Sequence, residues 1–210
     1  MHAGTLLQST QEALAILGRS HILDTSYLAG GSALALHLGH RKSFDFDFFY
    51  PGMLFAKDFE RQLGSVGAFE TILLEPPHTI LGVFNNVKFS LFRYAYPMIG
   101  KFTTYQNIRV ASVADIAAMK LTAISGRATK RDYVDIYVIS QKYRFEELFD
   151  FYEKKFGDFG NNRYVTIRAL GYFEDAESDT MPDMINSISW EEVKTFLSNE
   201  SIRLAKKYLE

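Results

Sequence analysis

Apolar and polar positions recur with two different periods along this chain, and the change of period divides it. Residues 5–18 set Leu6, Leu7, Ala13, Leu14, Ile16 and Leu17 at helical spacing and end near Gly18, which predicts an amphipathic helix. A short strand at 27–29 runs into Gly30-Gly31. Ser32 then opens a helix of good helix formers that Gly39 stops. Residues 43–50 alternate, and Pro51-Gly52 turns the chain. A helix over 55–67 is followed by extended runs at 69–74, 79–84 and 87–94, with Asn85-Asn86 as a hairpin signal between the last two. One more strand is expected at 108–110.

From Ser112 onward the period is helical. Helices are predicted over 113–125, 129–141, 145–156, 163–173 and 190–209, and the acidic stretch 175–182 reads as a loop. The pattern predicts an α/β (α+β) domain with a small mixed sheet over 1–110, then a C-terminal helical bundle over 111–210.

Composition narrows the chemistry. The 210 residues are 47% apolar, enough for a sizeable core. There is no cysteine, so disulfides, thiolate metal sites and cysteine nucleophiles are excluded. No apolar run approaches the roughly 20 residues that span a bilayer. The N-terminus lacks a basic start followed by an apolar stretch, so a soluble cytoplasmic protein away from the membrane is the expectation. The net charge of −2 argues against a whole-surface nucleic-acid binder but leaves two local basic patches, His40-Arg41-Lys42 and residues 127–131.

The segment YLAGGSALALHLGHRKSFDFDFFY, residues 27–50, carries the candidate chemistry. On a strand, Phe44, Phe46 and Phe48 fall on one face and Ser43, Asp45 and Asp47 on the other. The Phe face anchors the strand. The other presents two carboxylates whose repulsion a divalent cation relieves. Magnesium suits them, because it takes hard oxygens and is held by one or two carboxylates plus substrate phosphates. Upstream, Gly30 and Gly31 let the backbone approach a ligand closely, and the helix start offers N–H groups and a positive dipole end to a phosphate. Ser32 can add a hydroxyl hydrogen bond, and Arg41 can reach a triphosphate. A plain turn and a solvated strand edge are the alternatives for each piece alone.

Gly30-Gly31-Ser32 followed by Asp45-Phe46-Asp47 resembles the signature of the DNA polymerase β-type nucleotidyltransferase superfamily. More narrowly, GGSALALHLGHRKSFDFDFF resembles the opening motif of the AbiEii-type nucleotidyltransferase toxin family, and KLTAISGRATKRDYVDIY, residues 120–137, resembles its second motif. The resemblance implies a nucleotidyltransferase fold whose helical half completes the nucleotide site. It implies transfer of a nucleoside monophosphate from an NTP to an acceptor hydroxyl, with tRNA or another RNA as acceptor and a cognate antitoxin as partner. It places Lys120 and Arg127 in the nucleotide-binding set, with Lys120 orienting the triphosphate, and makes Asp132 and Asp135 motif acids. Mg2+, with Mn2+ as a substitute, is the implied cofactor at Asp45 and Asp47.

The residues of the second motif fit these roles. Lys120 and Arg127 are two helical turns apart and share a face if the helix runs through Gly126. An ion network between helices is the alternative for Arg127, Lys130, Arg131, Asp132 and Asp135. An RNA acceptor would need a basic rim, for which Arg41, Lys42, Arg127, Lys130, Arg131, Lys154 and Lys155 are candidates. An ordinary solvated surface is the preferred reading for the last two.

One departure stands out. Polymerases of the superfamily carry a third carboxylate on a later strand, yet the run 87–94 offers only Lys88, Ser90 and Arg93 as polar members. Either one metal suffices, or Asp132 or Asp135 takes the role, or the protein is a non-catalytic nucleotide-binding regulatory module. His21, His37, His40 and His78 show no metal-ligand spacing. Trp190 reads as a helix anchor. Tyr94, Tyr96 and Pro97 form an aromatic turn, with core packing preferred over a base pocket.

Overall fold

The structure, a computed structural model, describes every residue except Arg127 and Glu210, and the backbone but not the side chain of Asn161. The chain divides into two compact units, Met1–Ser112 and Val113–Glu210.

The first unit is a seven-stranded mixed sheet with three helices. In chain order it comprises α1 (Gln8–Ser20), β1 (Tyr27–Leu28), α2 (Gly30–Leu38), β2 (Phe46–Tyr50) and α3 (Ala56–Val66), then β3 (Phe69–Glu75), β4 (Thr79–Phe84), β5 (Val87–Arg93), β6 (Thr103–Tyr105) and β7 (Ile108–Val110). The spatial order is β3-β4-β5-β2-β1-β7-β6. β2 lies between β5, to which it is parallel, and β1, to which it is antiparallel.

Local chemistry sets these elements. Gly39 takes φ +68° to end α2. Asn85 and Asn86 take φ +47° and +65°, as the tight β4–β5 hairpin requires, and Gln106 and Asn107 do the same between β6 and β7. β6 has no alternating pattern of its own and is held by pairing to β7.

Phe46 and Phe48 on β2 are fully buried with Phe84 and Phe89 from the neighbouring strands. Each such ring contributes roughly 2–3 kcal/mol of burial. Phe44 departs from its expected place. It is 42% exposed, because β2 begins only at Phe46 and the residue two before it lies outside the sheet. At the outer edge, β3 carries a bulge between Thr71 and Leu73 that leaves Ile72 66% exposed.

The second unit is helical: α4 (Val113–Ser125), α5 (Lys130–Ser140), α6 (Phe145–Phe156), α7 (Gly160–Ala169), α8 (Glu174–Glu177) and α9 (Trp190–Tyr208). The one-turn α8 occupies part of the stretch expected as loop. α7 starts three residues before the expected 163. Ile116, Leu121, Val134, Leu148, Val193 and Leu197 form its core. Trp190 packs edge-on against Tyr133 and Phe173, as an anchor of α9 should. No helix among the described residues is long and apolar enough to cross a membrane.

Candidate active site

β1 delivers the chain to the start of α2 beside β2. The Ala29 N–H donates to the Asp47 carbonyl at 2.9 Å, which ties the turn to the strand. Gly30 follows with φ +64°, and a Cβ there would meet Asp47 Oδ2 at 2.5 Å. Only glycine fits, on both counts. A Cβ on Gly31 would run into the Arg41 guanidinium. Gly30 is therefore needed beside the Asp47 carboxylate, and Gly31 leaves room for the Arg41 guanidinium.

Ser32 is buried. Its hydroxyl donates to the Asp45 carbonyl at 2.5 Å and shares a hydrogen bond with the Ser43 hydroxyl at 2.9 Å. This differs from the expected hydroxyl contact to a phosphate: the side chain locks α2 to the segment before β2, and only its backbone N–H remains in the first turn. Arg41 is also buried, with Nη1 donating to the Lys42 carbonyl at 3.0 Å. It lies under the helix start rather than at a rim. Ser43 was not singled out as a partner of Ser32, and the eleven intervening residues give no local signal for the contact.

Asp45 and Asp47 are half-exposed, while Phe46 between them is buried. The alternation is thus as expected, although Asp45 precedes the strand proper. No group of three or more acids or histidines among the described residues could hold a metal. A pair of acids suffices for magnesium, whose shell is then completed by phosphate oxygens and water. The carboxylates are hard oxygen donors beside a cradle that a Cβ would fill, so the donor set fits that ion.

The second unit holds the other predicted set. Lys120 Nζ lies 2.7 Å from Asp132 Oδ1 and 2.7 Å from Asp135 Oδ2. Asp135 is fully buried and Lys120 nearly so. Burial pulls the Lys120 pKa down, but Asp135 and Asp132 outweigh it and leave it raised. Burial likewise pushes Asp132 up, and Lys120 and Thr129 outweigh it and hold it low. Thr129 and Asp132 form a capping box at the start of α5, for which the Thr-x-x-Asp spacing is the signal in the sequence. α4 ends at Ser125, so the continuous helix that would set Lys120 and Arg127 on one face is not present. Arg127 itself lies outside the described residues.

Two basic-rim candidates of this unit are also withdrawn from the surface. Lys130 is buried, with Nζ donating to the Glu177 and Asp179 carbonyls. Lys155 is not a solvated lysine: it is fully buried, with Nζ 2.8 Å from the equally buried Asp115. In the first unit, Tyr96 is 49% exposed rather than packed in the core, and with Pro97 it lines an open cleft of about 500 Å³. That cleft also takes in Pro51, just past the end of β2, so it sits at the opposite end of the strand from Asp47.

Solved structures share this fold. JHP933 from Helicobacter pylori matches with a TM-score of 0.55 at 17% identity, covering 94% of this chain and 91% of that one. MenT4, a nucleotidyltransferase toxin from Mycobacterium tuberculosis, matches with a TM-score of 0.56 at 15% identity, covering 95% and 86%. An uncharacterized protein of Aquifex aeolicus is 33% identical over 98% of both chains. The family model described as nucleotidyl transferase AbiEii toxin, type IV toxin–antitoxin system, matches residues 84–203, a span that includes Lys120, Asp132 and Asp135 and leaves out Gly30, Asp45 and Asp47. With more than half its length matched by that model, the chain belongs to the AbiEii nucleotidyltransferase toxin family.

Proposed function

We propose that the protein transfers a nucleoside monophosphate from a triphosphate to an acceptor hydroxyl, with Asp45 and Asp47 holding magnesium and the start of α2 holding phosphate. One observation carries this: Gly30 leaves room for the Asp47 carboxylate against a helix N-terminus, where a side chain would fill the space. Two half-exposed acids beside a helix start suit a site where a divalent cation and an anion bind together.

In this reading the N–H groups of Gly30, Gly31 and Ser32 point toward the phosphates and the dipole of α2 favours their charge. The buried Arg41 guanidinium adds positive potential beneath Gly31. The acceptor oxygen bonds to the α-phosphorus as the bond to pyrophosphate breaks, and the hydroxyl proton passes to a base. Bound magnesium would supply Lewis-acid stabilisation of the developing charge. Most of the acceleration then comes from positioning and charge. Lys120, Asp132 and Asp135 form a second proposed functional set. In it the ammonium lies between two carboxylates. An RNA acceptor and an antitoxin partner belong to the same proposal and follow from the family.

The test is incubation with each labelled triphosphate, magnesium and total RNA, comparing wild type with Asp45→Ala. Label incorporated by the wild type and absent with the variant is expected. Magnesium-dependent nucleotide binding with no incorporation into any acceptor would instead favour a regulatory nucleotide-binding module. The absence of an acid from β5 beside Asp47 is the observation on that side.

A further inference from the structure

The strand beside Asp47 shows what replaces a third acid. β2 and β5 are parallel, with Phe46 opposite Phe89 and Asp47 opposite Ser90. Residues in register project to the same face. Phe46 and Phe89 are buried, so Asp47 and Ser90 share the other face. Two residues back along β5, Lys88 lies on that same face. One step beyond the paired ladder, it is level with Asp45.

Lys88 is exposed, and among the described residues it makes no ion pair or side-chain hydrogen bond. Its neighbours on β4 carry no charge. β4 sets Val83 opposite Lys88 and Leu81 opposite Ser90, and Glu70 on β3 lies beyond Val83. An exposed ammonium therefore stands beside the two carboxylates, where a two-metal enzyme would place another carboxylate.

We propose that this site takes a single divalent cation and that Lys88 supplies, as a protein cation, the charge that grips the triphosphate. The inference rests on the nucleotide site described above. A single divalent ion at Asp45 and Asp47 leaves most of the triphosphate charge to protein groups, and the Arg41 guanidinium beneath Gly31 meets part of it. The start of α2 offers about half a unit of positive charge. Lys88 offers a whole one, on a flexible stem suited to a phosphate as a point charge. Ser90 brings no charge, so it does not draw in a second cation.

The test uses the full chain, Mn2+ as a paramagnetic probe, a non-hydrolysable triphosphate and a nucleoside monophosphate. The wild type is expected to bind one Mn2+ with the triphosphate. Lys88→Ala is expected to keep that count and the monophosphate affinity while losing about tenfold to a hundredfold in triphosphate affinity, with Lys88→Arg recovering part of it. Ser90→Asp is expected to raise the count to two. Two Mn2+ in the wild type, an unchanged triphosphate affinity in Lys88→Ala, or a count of one in Ser90→Asp would each overturn the inference. A wild type that binds no triphosphate at all would bring down the underlying nucleotide site instead, which keeps the two failures apart.

Discussion

Two pairs of acids in this molecule are spaced almost alike in sequence and live in opposite surroundings. Asp45 and Asp47 are half-exposed beside a glycine turn. Asp132 and Asp135 close around the Lys120 ammonium at 2.7 Å, with Asp135 wholly buried. The second pair meets its cation inside the protein, so part of its charge is spent on holding α5 to α4. The first pair is kept at the surface by a residue that gives up its side chain to make space. Acid spacing is therefore silent about role. What separates the pairs is burial: one closes around a protein ammonium, and the other stays accessible to solvent.

The sharpest way to break this contrast is Asp47→Ala. Transfer should fall by roughly three orders of magnitude, while the fold persists with a stability loss of no more than about 1–2 kcal/mol. A labelled-triphosphate assay and a urea melt check the two halves, and a large loss of stability would make Asp47 structural. Lys155→Met should behave in the reverse sense. It removes the ammonium 2.8 Å from the buried Asp115, costs about 3–5 kcal/mol in denaturant melts, and should be largely rescued by Asp115→Leu in the same chain.

Smaller effects refine the picture. Gly30→Ala forces an unfavourable φ of +64° and crowds Asp47, which should cost about 1–2 kcal/mol of stability and lower nucleotide affinity in calorimetry. The smallest effect is on pH dependence. Asp132 has a lowered folded pKa, so its contribution is present above the ordinary carboxylate value of 3.8 and is lost as pH falls through the folded value. Lys120 has a raised pKa, so its contribution is complete below 10.5 and is lost only as pH rises beyond it. Asp132→Asn should flatten the acid limb of the melting-temperature profile. An unchanged slope would remove the ion pair from the account.

Much of this was legible from pattern alone. β4 and the helices α4 and α6 fall where the period places them, because long periodic segments read clearly. The Gly30, Asp45 and Asp47 constellation was also visible, since its members lie within eighteen residues. The collision that makes Gly30 necessary was not, because it depends on how α2 seats on β2. Phe44 misled because alternation does not say where a strand begins. Lys155 misled because lysine is usually solvated. Yet it continues the stripe Leu148, Tyr152, Lys155 on the buried face of α6, and that placement was the available signal for a hidden partner. The loss of Lys130 from the rim has no such signal, since carbonyls from 47 and 49 residues away receive it.

Ile72 has a consequence that reaches beyond the single molecule. By interrupting the outermost ladder of the sheet, it denies an arriving chain the unbroken row of amides and carbonyls that zippering needs. Glu70 and Glu75 on the same strand add repulsion between copies lying side by side. The β3 edge is thus a poor template on which another chain could stack into a fibre.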